Sequence, residues 1–141
     1  MHDEAAYDRL AGEYYDAGHK TSRNFDEATR GALLTLNLRL PTNGLTLDAG
    51  CGRGRCGEFL QVPPSQVIQL DNSPAMLSFA GREPSLVRVL HDAEQLPFPS
   101  SEFSVVAAFL CDPFLGLNFL SEARRVLSPG GVLASVFHAR V

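Results

Sequence analysis

The sequence has little of several features that would assign it to other classes of protein. Its 141 residues include no tryptophan and no basic cluster, and 12 Lys and Arg stand against 16 Asp and Glu. The net charge of −4 argues against a nucleic-acid partner, because nucleic-acid binding usually requires a basic surface. No run approaches the ~20 apolar residues of a membrane span, and residues 1–4 lack the pattern of a signal peptide. We therefore expect a cytoplasmic protein that binds neither nucleic acid nor a membrane.

Cysteine is also scarce. Cys51, Cys56 and Cys111 are an odd number and form no C-x-x-C pair, so the sequence predicts neither a disulfide framework nor a zinc site. We expect all three thiols to be small buried side chains, and we expect no metal.

The hydrophobic fraction of 45% is enough for a substantial core, and the length suits one domain over residues 1–141. We expect a helical N-terminal cap over 1–40 and an α/β core over 45–137. Five short apolar runs, mostly without alternation, predict parallel strands that are covered on both faces. These runs are Leu45–Leu47, Val67–Leu70, Leu86–Leu90, Phe103–Leu110 and Val132–Phe137.

Helices are predicted between the strands. Ser73-Pro74 and Asp112-Pro113 each combine an N-cap residue with proline at the first helical position. One helix is expected before the first strand, over Asn24–Leu40, with Ala32, Leu33, Leu36 and Leu40 as its apolar face. Another is expected over Phe114–Leu127, with Phe119, Ala123 and Val126 facing the core and Ser128–Gly131 ending it.

A glycine-rich segment, L-D-A-G-C-G-R-G, follows the first predicted strand over residues 47–54. Glycine allows a tight turn and close approach of a ligand, and a helix from about Arg55 would direct free N–H groups inward. The segment predicts a site for a nucleotide-like ligand. Residues 52–57 also fit the G-x-G-x-x-G pattern of dinucleotide sites, and a plain glycine-rich turn is the structural alternative.

Acidic residues stand at the ends of the first three predicted strands, where ligands bind in open parallel sheets. Asp71 is placed to accept hydrogen bonds from ribose hydroxyls, or it is a turn residue. Asp92 is placed to accept a bond from an adenine amine, or it is a solvated loop acid. Asp48 either meets the positive end of a ligand or braces the glycine loop.

Together these segments resemble the class I S-adenosylmethionine-dependent methyltransferases, in particular the small-molecule methyltransferases with a Tyr-rich N-terminal segment. The resemblance covers nearly the whole chain. It implies a Rossmann-like three-layer α/β/α sandwich whose mostly parallel sheet has the strand order 3-2-1-4-5. Its motifs are 47–54, 70–77, 92–98 with 103–106, where Ser104 replaces a usual Asp, 122–131, and the N-terminal segment 7–14.

The resemblance implies S-adenosyl-L-methionine as cofactor and S-adenosyl-L-homocysteine as product. Asp71 would hold the ribose, Asp92 and Ala93 the adenine, and Asp48 with Gly50 and Gly52 the methionine end. Met76 packs on the adenine or belongs to the core. The remaining cofactor-binding candidates are Tyr14, Ala49, Cys51, Gly54, Asn72, Glu94 and Leu110.

Methyl transfer from a sulfonium needs alignment more than a nucleophilic side chain, and a general base only where the acceptor must lose a proton. The candidate bases are Asp112, His138 and His19. Asp112 is alternatively an N-cap, and the two histidines are alternatively exposed rings.

The resemblance ends at the fifth strand, because strands 6 and 7 of the family are missing from a chain that stops at Val141. An open apolar edge over 132–137 is expected to pair with a second copy or a partner chain. Two functions therefore stay open. One is a methyltransferase for a small-molecule acceptor, and the other is a non-catalytic cofactor-binding module or half-enzyme, with a nicotinamide dehydrogenase as a more distant alternative.

Overall fold

The computed structural model describes residues 20–37, 39–41, 43–52, 54–79, 87–109 and 116–136. Within these ranges, no helix is long and apolar enough to cross a membrane. The elements in chain order are α1 (Lys20–Leu36), β1 (Leu45–Ala49), α2 (Cys56–Leu60), a 3-10 turn (Pro64–Gln66), β2 (Val67–Asp71), α3 (Pro74–Phe79), β3 (Val87–Leu90), β4 (Phe103–Phe109), α4 (Leu117–Val126) and β5 (Leu127–Val136).

The five strands form one parallel sheet in the order β3-β2-β1-β4-β5. This confirms the predicted fold class and strand order. The chain fills one half of the sheet from β1 through β2 to β3 and then returns to place β4 beside β1. The strand order therefore reverses next to β1, which is where ligands bind in sheets of this type.

The two faces of the sheet are covered differently. Leu47 of β1 and Val106 of β4 share a core cluster with the buried residues of α4, which are Phe119, Ala123 and Val126. Because side chains alternate along a strand, Asp48 lies on the opposite face, in register with Gln69 of β2. On that face α2 approaches closely, since a Cβ on Gly57 would lie 3.3 Å from Val67 Cγ2. Helices on both faces give the three-layer sandwich.

The start of α3 is the predicted one. Pro74 is its first residue, and Ser73 Oγ accepts a hydrogen bond from Met76 N at 3.2 Å. This is the N-cap geometry expected for Ser-Pro at a helix start, and the prediction is confirmed.

The predicted bounds of α1 are wrong. The helix covers Lys20–Leu36 instead of Asn24–Leu40, because Asn37 takes a left-handed φ of 44° and donates from its N to Leu33 O at 3.2 Å. A left-handed residue directly after the last turn ends a helix. Leu40 consequently lies outside α1, and Leu36 is 59% exposed rather than part of an apolar face.

Charged side chains contribute to the contact of α1 with α2. Arg55 Nη1 lies 3.0 Å from Asp26 Oδ2, and the guanidinium groups of Arg30 and Arg55 each lie 5.4 Å from the centre of the Phe59 ring. Both guanidinium groups are at cation–π distance. Thr29 is the most deeply buried α1 side chain among those described, at 2% exposure.

The end of α4 and the start of β5 also differ from expectation. Residues 128–131 were expected to form a turn between them, but β5 begins at Leu127, directly after Val126. Leu127 pairs with Phe103 and Val132 with Val105, so the intervening residues form a bulge within the strand. A Cβ on Gly131 would lie 2.9 Å from Ser128 O, so the bulge requires a glycine there.

The described helix α4 begins at Leu117 with Gly116 as its N-cap, and Asp112, the predicted N-cap, lies outside the described residues.

Candidate functional site

The glycine loop lies at the carboxyl end of β1. Gly50 and Gly52 have φ angles of 64° and 50°, a left-handed conformation that glycine adopts without the strain of a Cβ. Cys51 N donates to Leu70 O at 2.9 Å, and Gly54 N donates to Cys51 O at 2.7 Å. The loop is therefore held against the end of β2.

Asp71 connects this loop to its neighbours. It is the last residue of β2 and is 9% exposed. Its Oδ2 accepts a hydrogen bond from Gly52 N and its Oδ1 accepts one from Ser73 N, both at 3.0 Å. His91 N donates to Asp71 O at 3.0 Å, so the segment after β3 is attached to the same residue. Asp71 thus fixes the relative positions of three segments.

Asp48 is more deeply buried than Asp71 and has fewer bonds. It is 2% exposed, and its Oδ2 has no hydrogen-bond partner among the described residues. Burial raises the pKa of Asp48 to about 8, and the negative charge of Asp71 adds to the shift. A desolvated carboxylate of this kind is stabilised by a positively charged ligand group.

The thiols of Cys51 and Cys56 are free and buried, at 7% and 3% exposure, which confirms the prediction for these two cysteines. Burial raises the pKa of each thiol well above its ordinary value, and the negative charge of Asp48 raises both further. They are therefore neutral packing groups, with Cys51 inside the glycine loop and Cys56 at the start of α2. Cys111 lies outside the described residues.

Met76 packs close to the glycine loop. It is 5% exposed, and a Cβ on Gly52 would lie 3.4 Å from Met76 Cε. The methionine thus lies on the side of α3 that faces the loop.

The segment after β3 forms a compact turn. Asp92 is exposed, and its Oδ1 accepts a hydrogen bond from Glu94 N at 2.8 Å. Gln95 N donates to Asp92 O at 3.3 Å. Ala93 packs against the main core, and Leu96 is 5% exposed within it. The Asp92 carboxylate therefore bonds to its own turn while remaining open to solvent.

Sequence reasoning missed the two side chains that hold this segment, Glu122 and Arg125 of α4. Leu96 N donates to Glu122 Oε1 at 3.1 Å, and Arg125 donates to Phe98 O at 2.8 Å and to Leu96 O at 3.1 Å. Arg125 Nε lies 2.5 Å from Glu122 Oε2, and hydrogen bonding from Arg125 lowers the pKa of Glu122. The available signal was their i,i+3 spacing on a predicted helix.

The structure brings Asp48, Gly50, Gly52, Asp71 and Met76 together at the carboxyl ends of β1 and β2, with Asp92 and Ala93 attached through His91. Of the other candidates, Ala49 is fully buried at the end of β1, Cys51 and Gly54 lie in the glycine loop, Asn72 is half-buried after β2, and Glu94 is half-buried in the turn. Tyr14, His19, Leu110, Asp112 and His138 lie outside the described residues. No three His, Cys, Asp or Glu side chains within the described ranges are grouped to hold a metal ion.

Comparisons with known proteins identify the family. Residues 47–135 match the methyltransferase domain model. Malonyl-[acyl-carrier protein] O-methyltransferase of Salmonella typhimurium is 34% identical over 133 residues, which is 92% of this chain and 51% of that protein. Phthiotriol/phenolphthiotriol dimycocerosates methyltransferase of Mycobacterium leprae is 38% identical over 96 residues, which is 62% of this chain and 35% of that protein.

Solved structures that resemble this chain support the same family. A SAM-dependent methyltransferase from Thermotoga maritima superposes with a TM-score of 0.68 at 25% identity, covering 95% of this chain and 61% of that one. The chain spans about half the length of the first curated relatives it matches. The resemblance stated from the sequence is confirmed, and the chain belongs to the methyltransferase domain family, within the class I S-adenosylmethionine-dependent methyltransferases.

Proposed function

We propose that this chain is the S-adenosylmethionine-binding core of a methyltransferase that acts on a small-molecule acceptor. The observation that carries the proposal is the buried Asp48 carboxylate, whose Oδ2 has no partner among the described residues, beside a glycine loop held by Asp71. A cationic ligand placed at this loop would neutralise the buried charge, and S-adenosylmethionine carries both a sulfonium and an ammonium group.

The residues present fit this cofactor. Gly50 and Gly52 have no Cβ that would obstruct a ligand at the loop, and they would hold the methionine end together with Asp48. The Asp71 carboxylate lies at the carboxyl end of β2 beside the glycine loop, where it would accept hydrogen bonds from the ribose hydroxyls. Supporting contacts are assigned to Ala49, Cys51, Gly54, Asn72, Met76, Asp92, Ala93 and Glu94, and to Tyr14 and Leu110 from outside the described residues.

When bound, S-adenosylmethionine supplies a sulfonium-activated methyl group, and its transfer leaves S-adenosylhomocysteine. The chain's own contribution is alignment and, at Asp48, a desolvated carboxyl group whose ionised form a cationic ligand would stabilise. An acceptor that must lose a proton needs a general base. The proposed candidates are His19, Asp112 and His138, and all three lie outside the described ranges.

The acceptor is proposed only as a class. The two relatives carry names with different acceptors, a malonyl-[acyl-carrier protein] in one case and phthiotriol or phenolphthiotriol dimycocerosates in the other. These names support methyl transfer and differ in the acceptor that they specify. The single-domain organisation over 1–141 and the cytoplasmic location belong to the same proposal as predictions from the sequence.

A second candidate function is a cofactor-binding half-enzyme that needs a partner chain. It is favoured by β5, which pairs with β4 on one side and has no second neighbour among the described strands. Apolar Leu117 and Leu120 of the adjacent α4 are also 83% and 43% exposed. We propose that the β5 edge over 132–136 pairs with a second copy or with another polypeptide. A monomer by light scattering would contradict the pairing, and turnover by the isolated chain would eliminate the half-enzyme.

The test of the main proposal is calorimetric titration with S-adenosylhomocysteine. We expect micromolar binding by the wild type and no measurable binding by Asp71→Ala, because that variant loses the carboxylate that holds Gly52. Glu102→Ala is the matched control, since Glu102 is an exposed acid directly before β4, and this variant should bind like the wild type.

Thermal unfolding supplies a second measurement, because ligand at 100 times its dissociation constant adds ~2.7 kcal/mol of stability. Absence of binding by a folded wild type would overturn the proposal. Binding of a nicotinamide cofactor in place of S-adenosylhomocysteine would favour the dehydrogenase instead.

A further inference from the structure

We infer that Glu122 and Arg125 are positioning residues for the adenine part of the cofactor site, acting through the 92–98 segment. The inference rests on the proposed function, because it requires Asp92 and Ala93 to contact the adenine. It goes beyond that proposal by assigning adenine selectivity to two side chains of α4 that lie on the far side of the segment.

The contacts run from α4 to the backbone at two positions. Glu122 accepts a hydrogen bond from Leu96 N, while Arg125 donates to Leu96 O and Phe98 O, at 3.1, 3.1 and 2.8 Å respectively. Both polar groups of the Leu96 backbone are therefore bound by side chains that are 26 and 29 residues away in sequence. The planar guanidinium reaches two carbonyls and a carboxylate together, which a lysine ammonium on one flexible stem does not reproduce.

The 92–98 segment is also held at its N-terminal end. His91 N donates to Asp71 O at 3.0 Å, and the Asp92 carboxylate accepts from Glu94 N at 2.8 Å. Phe98 packs edge-on against Phe103 with ring centres 5.0 Å apart. Asp92 and Ala93 thus lie between one anchor on Asp71 and another on the Glu122–Arg125 pair. Loss of the second anchor would leave the Asp71 side of the site unchanged.

The exposure of the pair favours a positioning role over a large stabilising one. The Glu122 and Arg125 side chains are 23% and 35% exposed, and ion pairs at this exposure contribute little to global stability. Their hydrogen bonds nevertheless set where the Leu96 and Phe98 backbone lies. We therefore expect variants that fold and lose selectivity for the adenine amine.

The test compares two ligands, S-adenosylhomocysteine and S-inosylhomocysteine, in which oxygen replaces the exocyclic amine. The wild type should bind the first more tightly, because a carboxylate such as Asp92 accepts a hydrogen bond from an amine and repels a carbonyl. Arg125→Gln should weaken S-adenosylhomocysteine binding by about tenfold, the effect of one misplaced hydrogen bond, with S-inosylhomocysteine affinity unchanged. Arg124→Gln, the same change at the exposed neighbouring residue, should retain the wild-type ratio.

Circular dichroism checks that each variant folds, and Glu122→Gln provides a second variant with the same expected direction if Arg125→Gln does not fold. A wild type that binds both ligands equally would overturn the inference, as would a folded variant that keeps the wild-type ratio. Equal weakening of both ligands would indicate a structural role only and would also overturn it. A wild type that binds neither ligand would instead overturn the proposed function.

Discussion

Two carboxylates, one on β1 and one on α4, show opposite ways of placing an acid in this fold. Asp48 is 2% exposed, with an unpartnered Oδ2 in the described structure, and burial raises its pKa to about 8. Glu122 is bound by Arg125 and by Leu96 N, and these bonds lower its pKa. The first acid is costly to ionise without a ligand, whereas the second is already paired within the chain.

The difference separates a proposed binding group, Asp48, from a group that holds backbone in place, Glu122. A buried acid without a partner is a poor structural element, because desolvation of its charge is not offset by a bond. A paired acid at a helix surface positions backbone without that cost. The β1–β2 side of the sheet therefore holds an acid that a cationic ligand would stabilise, whereas the acid of α4 is already paired with other groups of the chain.

The largest predicted effect tests the packing of the α4 side. Phe119 is 2% exposed in the main core cluster, so Phe119→Ala should destabilise the protein by about 3–5 kcal/mol through lost burial and a cavity. Leu117→Ala, two residues earlier on the same helix at 83% exposure, should change stability by less than ~0.5 kcal/mol. Urea unfolding measures both. Equal losses would show that the two α4 positions are not distinguished by burial.

The next effect tests Asp48 through pH. Its folded pKa of about 8 lies above the ordinary value of 3.8, so between these values the folded state holds a proton that the unfolded state has lost. Stability should therefore fall as pH rises from about 4 to about 8. Asp48→Asn should remove this decline and be more stable than the wild type at pH 8, by several kcal/mol.

Urea unfolding at pH 5, 7 and 8.5 measures the decline, with Glu102→Gln as the matched control at an exposed acid. Parallel pH profiles for Asp48→Asn and the wild type would contradict the buried, protonated Asp48.

The smallest effect tests the glycine loop. Gly52→Ala places a Cβ at a φ of 50°, with ordinary contact to Met76 Cε at 3.4 Å, so backbone strain alone should cost about 1–2 kcal/mol. Gly31→Ala, in α1 with nothing within 4 Å of the new Cβ, should instead stabilise by about 0.5–1 kcal/mol. Thermal unfolding measures both changes in stability, which should have opposite signs. Stabilisation by both substitutions would contradict the left-handed turn at Gly52.

Much of the sheet could be predicted from the sequence because its strands are short, apolar and covered on both faces. The strand order came from the resemblance carried by the glycine and acidic motifs. The end of α1 could not be predicted from apolar spacing, since it depends on the left-handed conformation of Asn37. The bulge of β5 depends on register against β4, which the sequence of β5 alone does not contain.

The position of the candidate site could be predicted from the sequence, but most of the hydrogen bonds within it could not. The locations of Asp48 and Asp71 follow from their places at strand ends, and the structure brings them to one face of the sheet. The bonds of Asp71 to Gly52 and Ser73 depend on the fold of the loop. The contacts of Glu122 and Arg125 span more than 25 residues and become visible only when α4 packs beside the 92–98 segment.

The attachment of α1 has a consequence for local unfolding. Its contact with α2 includes the Arg55–Asp26 ion pair and the Phe59 ring between two guanidinium groups, and such partly exposed charges are screened by salt. The β1 amides are held by two neighbouring strands and are insulated from solvent. Amide hydrogens of α1 should therefore exchange faster as ionic strength rises, while those of β1 keep their rates. The helix would then open as a separate unit from the sheet it covers.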